Sequence, residues 1–269
     1  MRQQRCLVRF LGSVAVAALM AAGLGGCQTM GLSDITGSLG TRAEARKTAD
    51  PRRAVEAYGE QYRANPKNID AALRYGQALR ATGQRAQAVA VLEQANLVHP
   101  GNKALLGLYG RALVDNGNFQ MGFDVLGRAH SPQNPDWRIL SVQGTALDQL
   151  SRHDEARNYY RSALKIAPEE PSVLSNFGLS YMLSGNLPKA ESVLRHAYAR
   201  PGAGPRVRQN LGLVIGLQGR FAEAEAIVKA DLPADEAAAN VAYLKQMLAA
   251  RRHGRSGAQA TAANARTRS

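Results

Sequence analysis

Residues 171–204 read PSVLSNFGLSYMLSGNLPKAESVLRHAYARPGAG, and the same punctuation recurs on both sides of them. The glycine in their eighth position belongs to a series, Gly76, Gly110, Gly144, Gly178 and Gly212, spaced by 34 residues without insertion or deletion. A second series of small residues keeps step twelve residues later, at Ala88, Gly122, Ala156, Ala190 and Ala224. Pro66, Pro100 and Pro168 close units with a residue that cannot continue a helix. Within the units, sets such as Leu106/Tyr109/Leu113 and Leu174/Phe177/Tyr181 recur at three- and four-residue spacing, which is one face of a helix. Each unit is thus two antiparallel helices, turning at Gly83, Gly117, Ser151, Gly185 and Gly219, where a left-handed cap suits glycine. The registered small residues predict a close crossing of the two backbones. Leucine would overpack such a crossing, whereas alanine at Gly178 should be mild, because it recovers about 1 kcal/mol of helix propensity. The fold class is all-α, a solenoid whose units each touch only their neighbours.

A 34-residue pair of helices resembles the tetratricopeptide repeat. In that register five full repeats span 69–102, 103–136, 137–170, 171–204 and 205–238, preceded by a half repeat at 49–68. Asp50 before Pro51 suits a helix start, an N-cap with proline at the first position. Repeat 103–136 ends in SPQNPD, with Pro132 and Pro135 displaced from the usual terminator, so its junction should deviate. After the last repeat, Ala237, Val241, Leu244 and Leu248 share one face, predicting a capping helix over 237–250. Residues 251–269, basic and poor in bulky apolar groups, are predicted to be disordered.

The N-terminus reads differently. Residues 1–9 carry Arg2, Arg5 and Arg9, residues 10–24 are an apolar run of 15, and small residues lead to Cys27. That run is too short for an ordinary membrane span and has signal-peptide length, so 1–26 reads as a leader. Leu24-Gly25-Gly26-Cys27 resembles the bacterial lipobox, which implies cleavage before Cys27 and acylation of it; the alternative is a plain secretory signal with a chance cysteine. Gln28, in place of aspartate, implies outer-membrane sorting. Residues 27–48 are a polar, Gly/Ser/Thr-rich tether spanning roughly 25 Å on average. With Cys6 lost in the leader and Cys27 acylated, the mature chain has no free thiol.

Charge and chemistry narrow the function. The net charge is +13, but removing three arginines in 1–26 and five in 251–269 leaves 26 basic against 21 acidic residues, or +5. That body is only mildly basic, and no nucleic-acid partner is expected. His99, His130, His153, His196 and His253 show no helical metal-pair spacing, so neither a metal nor a cofactor is expected. No nucleophile–base pairing is recognisable, and no enzymatic activity is expected. The acid pairs Asp154/Glu155 and Glu169/Glu170 open helices, where negative charge is favoured.

What remains is binding of a protein partner. The tetratricopeptide resemblance implies that positions 2, 5, 6, 9, 12 and 13 of each repeat face a concave groove. The N-terminal half then presents Asp70, Arg74, Gln77, Arg80, Arg111 and Asp115, which is polar and net basic. The C-terminal half presents Asn176, Leu179, Met182, Leu183, Asn210, Leu213 and Leu217, apolar enough for a partner site. Alternatively the superhelix closes on these leucines, or the capping helix folds over them. Asn176 and Asn210 match the inward asparagines by which such repeats hold a peptide backbone, a task suited to a group that both donates and accepts.

The stretches SVQGTALDQLSRHDEARNYYRSAL (141–164), PSVLSNFGLSYMLSGNLPKAE (171–191), VRQNLGLVIGLQGRFAEAEAIVKADL (207–232) and ADEAAANVAYLKQML (234–248), together with lipobox and tether, resemble the TadD lipoproteins of the tight-adherence (Flp) pilus system of Gram-negative bacteria. The basic tail has no counterpart in that resemblance. It implies a pilotin-like lipoprotein on the periplasmic face of the outer membrane, serving localisation or assembly of the secretin pore. Two other readings stand beside it: a pilotin of a type IV pilus or type II secretion system, and a scaffold for outer-membrane barrel or cell-wall enzymes.

Overall fold

The computed structural model describes residues 51–266, and among these every regular element is an α-helix. Among the described residues helix α1 (Pro51–Ala64) comes first, in the register of the second helix of a repeat. Five pairs follow: α2 (Ile69–Ala81) with α3 (Arg85–Val98), α4 (Lys103–Asp115) with α5 (Phe119–Ala129), and α6 (Trp137–Gln149) with α7 (His153–Ile166). The last two are α8 (Pro171–Leu183) with α9 (Leu187–Tyr198) and α10 (Pro205–Leu217) with α11 (Phe221–Val228). Helix α12 (Ala234–Arg266) closes the array. Asp50, the leader, Cys27 and the tether lie outside the described residues.

Starts and stops obey the same 34-residue period. The N-caps of the first helices are Asn68, Asn102, Asp136, Glu170 and Gly204, and the first four accept a backbone N–H through their side chains. This satisfies donors that a helix start otherwise leaves unpaired. Each first helix ends in the same six-to-one hydrogen bond, for example Gln84 N to Leu79 O at 2.9 Å and Asn186 N to Tyr181 O at 2.8 Å. The residue between takes φ of 75° at Gly83, 89° at Gly117, 82° at Gly185 and 86° at Gly219. Ser151 adopts the same conformation, with φ 61°, although it has a Cβ.

The glycine series marks a steric contact with a defined partner. A Cβ on Gly76 would lie 2.7 Å from Leu92, on Gly110 2.5 Å from Leu126, and on Gly144 2.7 Å from Tyr160. On Gly178 it would lie 2.6 Å from Leu194 Cγ, and on Gly212 2.6 Å from Val228. In every repeat the partner stands sixteen residues later, on the second helix, and is buried. Contacts below 3 Å to a packed, branched side chain force movement. The expected tolerance of alanine at Gly178 is therefore corrected: the methyl alone collides, and helix propensity does not offset overpacking of about 1–3 kcal/mol. The one glycine among the small residues of the second helices, Gly122, is explained by β-branched Val114, whose Cγ2 would lie 2.7 Å from an added Cβ.

First helices of successive repeats pack on one another, α2 on α4, α4 on α6, α6 on α8 and α8 on α10, whereas second helices make no comparable contact. The first helices therefore form the inner layer. The junction at 130–136 departs from the pattern, as its prolines predict: α5 ends early, and Ser131 and Asn134 form an isolated bridge. Helix α12 buries Ala237 and Leu244, the latter against the bare backbone of Gly216. It does not stop at 250. Its backbone stays helical to Arg266, where disorder was predicted, since 251–266 is rich in alanine, the strongest helix former.

Replacing Ser151 with glycine removes a Cβ from a left-handed position whose equivalents are glycine. Ser151→Gly should raise stability by about 1 kcal/mol, read as a higher urea midpoint, and an unchanged or lower midpoint would contradict the turn geometry.

Candidate functional site

The expected groove residues lie on the inner helices, where the repeat register places them. On α2, Asp70, Arg74 and Gln77 are exposed and Arg80 is half-buried. Arg80 is not a free cation: its Nε donates to Asp115 Oδ2 at 2.7 Å and its Nη2 forms an ion pair with the same oxygen at 2.7 Å, tying α2 to α4. Arg111, half-buried on α4, is different. Among the described residues it donates no hydrogen bond and forms no ion pair; burial first, then the nearby Arg80 charge, pull its pKa below the ordinary arginine value.

On the C-terminal inner helices, Leu179, Met182 and Leu183 of α8 and Leu213 and Leu217 of α10 are all half-buried. Met182 packs against the cluster of Leu194, Val214 and Ile215, so it belongs partly to the core. Leu179 and Leu213 are register equivalents, as are Leu183 and Leu217, so the four form two short rows across neighbouring helices. Asn176 and Asn210 do something the sequence did not predict. The Nδ2 of Asn176 donates to Ser141 Oγ at 3.1 Å, and that of Asn210 to Ser175 Oγ at 2.9 Å, each reaching back one repeat. This fixes each amide in orientation. Among the described residues, its carbonyl oxygen and second N–H carry no other hydrogen bond, so both remain available to a peptide backbone.

Sequence reasoning missed a cleft. Where α5 ends early, Trp137, Arg138 and Lys103 line a space of about 510 Å³ with Arg111, between α4 and α6. The displaced prolines of SPQNPD were the available signal, because a junction that shortens one helix leaves its neighbours uncovered.

Comparisons with known proteins agree with this geometry. Tetratricopeptide repeat models match residues 45–111, 124–171 and 141–205, and 205–230. The chain is a tetratricopeptide-repeat protein. It is 32% identical over 117 residues to an uncharacterised protein, y4yS, of Sinorhizobium fredii, covering 44% of this chain and 63% of that one. It is 30% identical over 118 residues to the BBSome complex member bbs-4 of Caenorhabditis elegans, covering 43% of this chain and 25% of that one. The chain thus spans less than two thirds of the curated relatives it matches. Among solved structures, PilW, described as a widely conserved type IV pilus biogenesis factor, superposes with TM-score 0.61 at 19% identity, covering 74% of this chain and 94% of that one. That likeness is one of fold. A tetratricopeptide array is a scaffold for protein–protein interaction.

Two polar devices hold the repeats that carry the leucines. Asp148, buried between repeats, accepts from His153 Nδ1 and Ser180 Oγ, each at 2.8 Å, and from the Tyr160 hydroxyl at 2.9 Å. Burial pushes its pKa up, against the pull of those hydrogen bonds; burial and then the Asp148 charge push the Tyr160 phenol well above its usual value. Ser180 comes from the following repeat, so the carboxylate joins repeats 137–170 and 171–204. Glu191 on α9 accepts from Arg195 of the same helix at 2.8 Å, and from Arg220 at 2.7 Å and Gln218 at 2.8 Å in the turn between α10 and α11, joining 171–204 to 205–238. Desolvation raises its pKa, but the hydrogen bonds from Arg220, Gln218 and Arg195 prevail and hold it at about 2.

A carboxyl with a depressed folded pKa contributes stability above its unfolded value, near 4.5, and loses it as pH falls toward 2. Glu191→Gln should therefore melt below the parent at pH 7, and the difference should close as the pH is lowered through that window. A gap independent of pH would place the loss in packing instead of charge.

Proposed function

We propose that this chain is a non-enzymatic, lipid-anchored adaptor of pilus assembly, tethered through Cys27 to the periplasmic face of the outer membrane. Its partner is a segment of the secretin or of another pilus-assembly subunit. The observation that carries the binding reading is the pair of leucine rows, Leu179/Leu213 and Leu183/Leu217, half-buried on adjacent inner helices beside Asn176 and Asn210. Amphipathic helices and extended tails are gripped in this way, with apolar anchors in a groove and backbone groups held by amides. The tight-adherence setting is supported by the sequence resemblance of the repeats, lipobox and tether. Acyl chains on Cys27 add about 0.8 kcal/mol per buried methylene, and more than one chain gives stable anchoring.

The test is retention of the secretin from detergent-solubilised membranes. Leu213→Glu strands a charge in a desolvated contact, costing about 3–5 kcal/mol of binding, while the half-buried site tolerates it in the free protein. That variant should melt like the parent, reach the membrane and fail to retain the secretin. Cys27→Ser should fold but take up no radiolabelled palmitate and leave the membrane fraction. A much lower melt for Leu213→Glu would make the leucines internal packing, and palmitate in Cys27→Ser would overturn the anchor.

A further inference from the structure

The leucine rows account for one end of the inner face, and the cleft between α4 and α6 lies outside them. Lys103, Leu108 and Arg111 come from α4; Trp137, Arg138 and Ile139 come from the start of α6. Three of these six are cations. The carboxylate in the wall, Asp136, is occupied as a cap, its Oδ1 accepting from Arg138 N at 2.7 Å and Ile139 N at 3.4 Å. The Arg138 guanidinium lies 4.3 Å from the centroid of the Trp137 ring, a cation–π contact that orders both side chains.

Arg111 is the informative member. Of the other half-buried arginines, Arg80, Arg157, Arg200 and Arg208 each meet a carboxylate, from Asp115, Asp154, Glu169 and Asp231 respectively, whereas Arg138 lies over the Trp137 ring of this same cleft and forms no ion pair among the described residues. Arg111 pairs with no carboxylate among the described residues; Arg80 and Arg138 oppose its charge, Asp136 and Asp115 favour it without contacting it, and burial together with the two cations prevails. A desolvated guanidinium with unused donors is costly unless an anion completes it. Its fork matches a planar carboxylate with two parallel hydrogen bonds. The neighbouring indole and the Leu108 and Ile139 side chains add an apolar wall, which inorganic anions do not use.

We propose that this cleft is a carboxylate subsite taking an acidic residue of the protein segment bound on the inner face, with Arg111 paired to the carboxylate and Trp137 against an adjacent apolar side chain. This rests on the reading of the inner face as a protein-binding groove, and it gives the partner segment a chemistry: an acidic residue next to an apolar one, upstream or downstream of the leucine-gripped part.

Trp137 is the chain's one tryptophan, so its emission reports occupancy of the cleft. The full chain in detergent micelles is titrated with a capped hexapeptide of alternating glutamate and leucine, with its glutamine–leucine counterpart, and with inorganic phosphate. The glutamate peptide should change the emission saturably, and the glutamine peptide should bind about tenfold or more weakly. Arg111→Gln should weaken the glutamate peptide by a similar factor, and Arg85→Gln, exposed at the start of α3 and outside the cleft, should not. Arg111→Gln should also melt at or above the parent, because it removes a half-buried charge that no ion pair among the described residues meets. A lower melt, equal binding of the two peptides, or no response of Trp137 to the glutamate peptide would overturn the proposal. Phosphate displacing the peptide at equal strength would make the cleft a site for small anions and overturn it too. No secretin enters these titrations, so their failure and a failure of secretin retention are separate results.

Discussion

The structure depends on a contact made five times: one large side chain of each second helix pressed onto a bare glycine of the first. Leu92, Leu126, Tyr160, Leu194 and Val228 fill that place, each sixteen residues after its glycine. Close approach brings a branched or aromatic group under the helix backbone, where it is removed from water, a burial of about 1.5–3 kcal/mol for a Val or Leu. It also sets the distance between the two helices of a pair, and with it the angle at which the next pair can stack. The Tyr160 case shows how strict the geometry is. An aromatic ring replaces leucine, and its hydroxyl, carried into the core, is met there by Asp148.

With the crossing fixed, the inner face is left with positions that fold formation does not use. The array spends them unevenly. At the N-terminal end they are polar, with Arg80 and Asp115 consumed in linking repeats. At the junction over 130–136 they open into a cleft with an unpaired guanidinium. Farther on they become leucines flanked by serine-oriented asparagines. One face thus offers charge, an aromatic wall and apolar rows in sequence along the stack, a surface suited to reading an extended partner at several points.

Much of this was legible in the chain itself. The glycine register gave the fold because a steric exclusion repeated at one spacing leaves an unmistakable trace. The turns followed, including Ser151, since register outweighs residue type there. What sequence did not reveal were the contacts that depend on two repeats at once. Nothing in the residue string distinguishes paired Arg80 from unpaired Arg111, or marks Asp148 as buried, because each fate is decided by a neighbour 32 to 35 residues away or by a shortened helix. The serines that hold Asn176 and Asn210 are invisible for the same reason. At the C-terminus, composition pointed to disorder where alanine propensity carries the helix onward to Arg266.

The central claim is that the glycines are steric partners of specific side chains, and a double-mutant cycle on Gly178 and Leu194 tests it most directly. In urea unfolding, Gly178→Ala should destabilise by about 1–3 kcal/mol and Leu194→Ala by about 2–5 kcal/mol. Combined, they should cost less than their sum by about 0.5–3 kcal/mol, because the new methyl occupies space that the shortened side chain vacates. Additive effects, or a Gly178→Ala protein more stable than the parent as helix propensity alone would have it, would contradict the account.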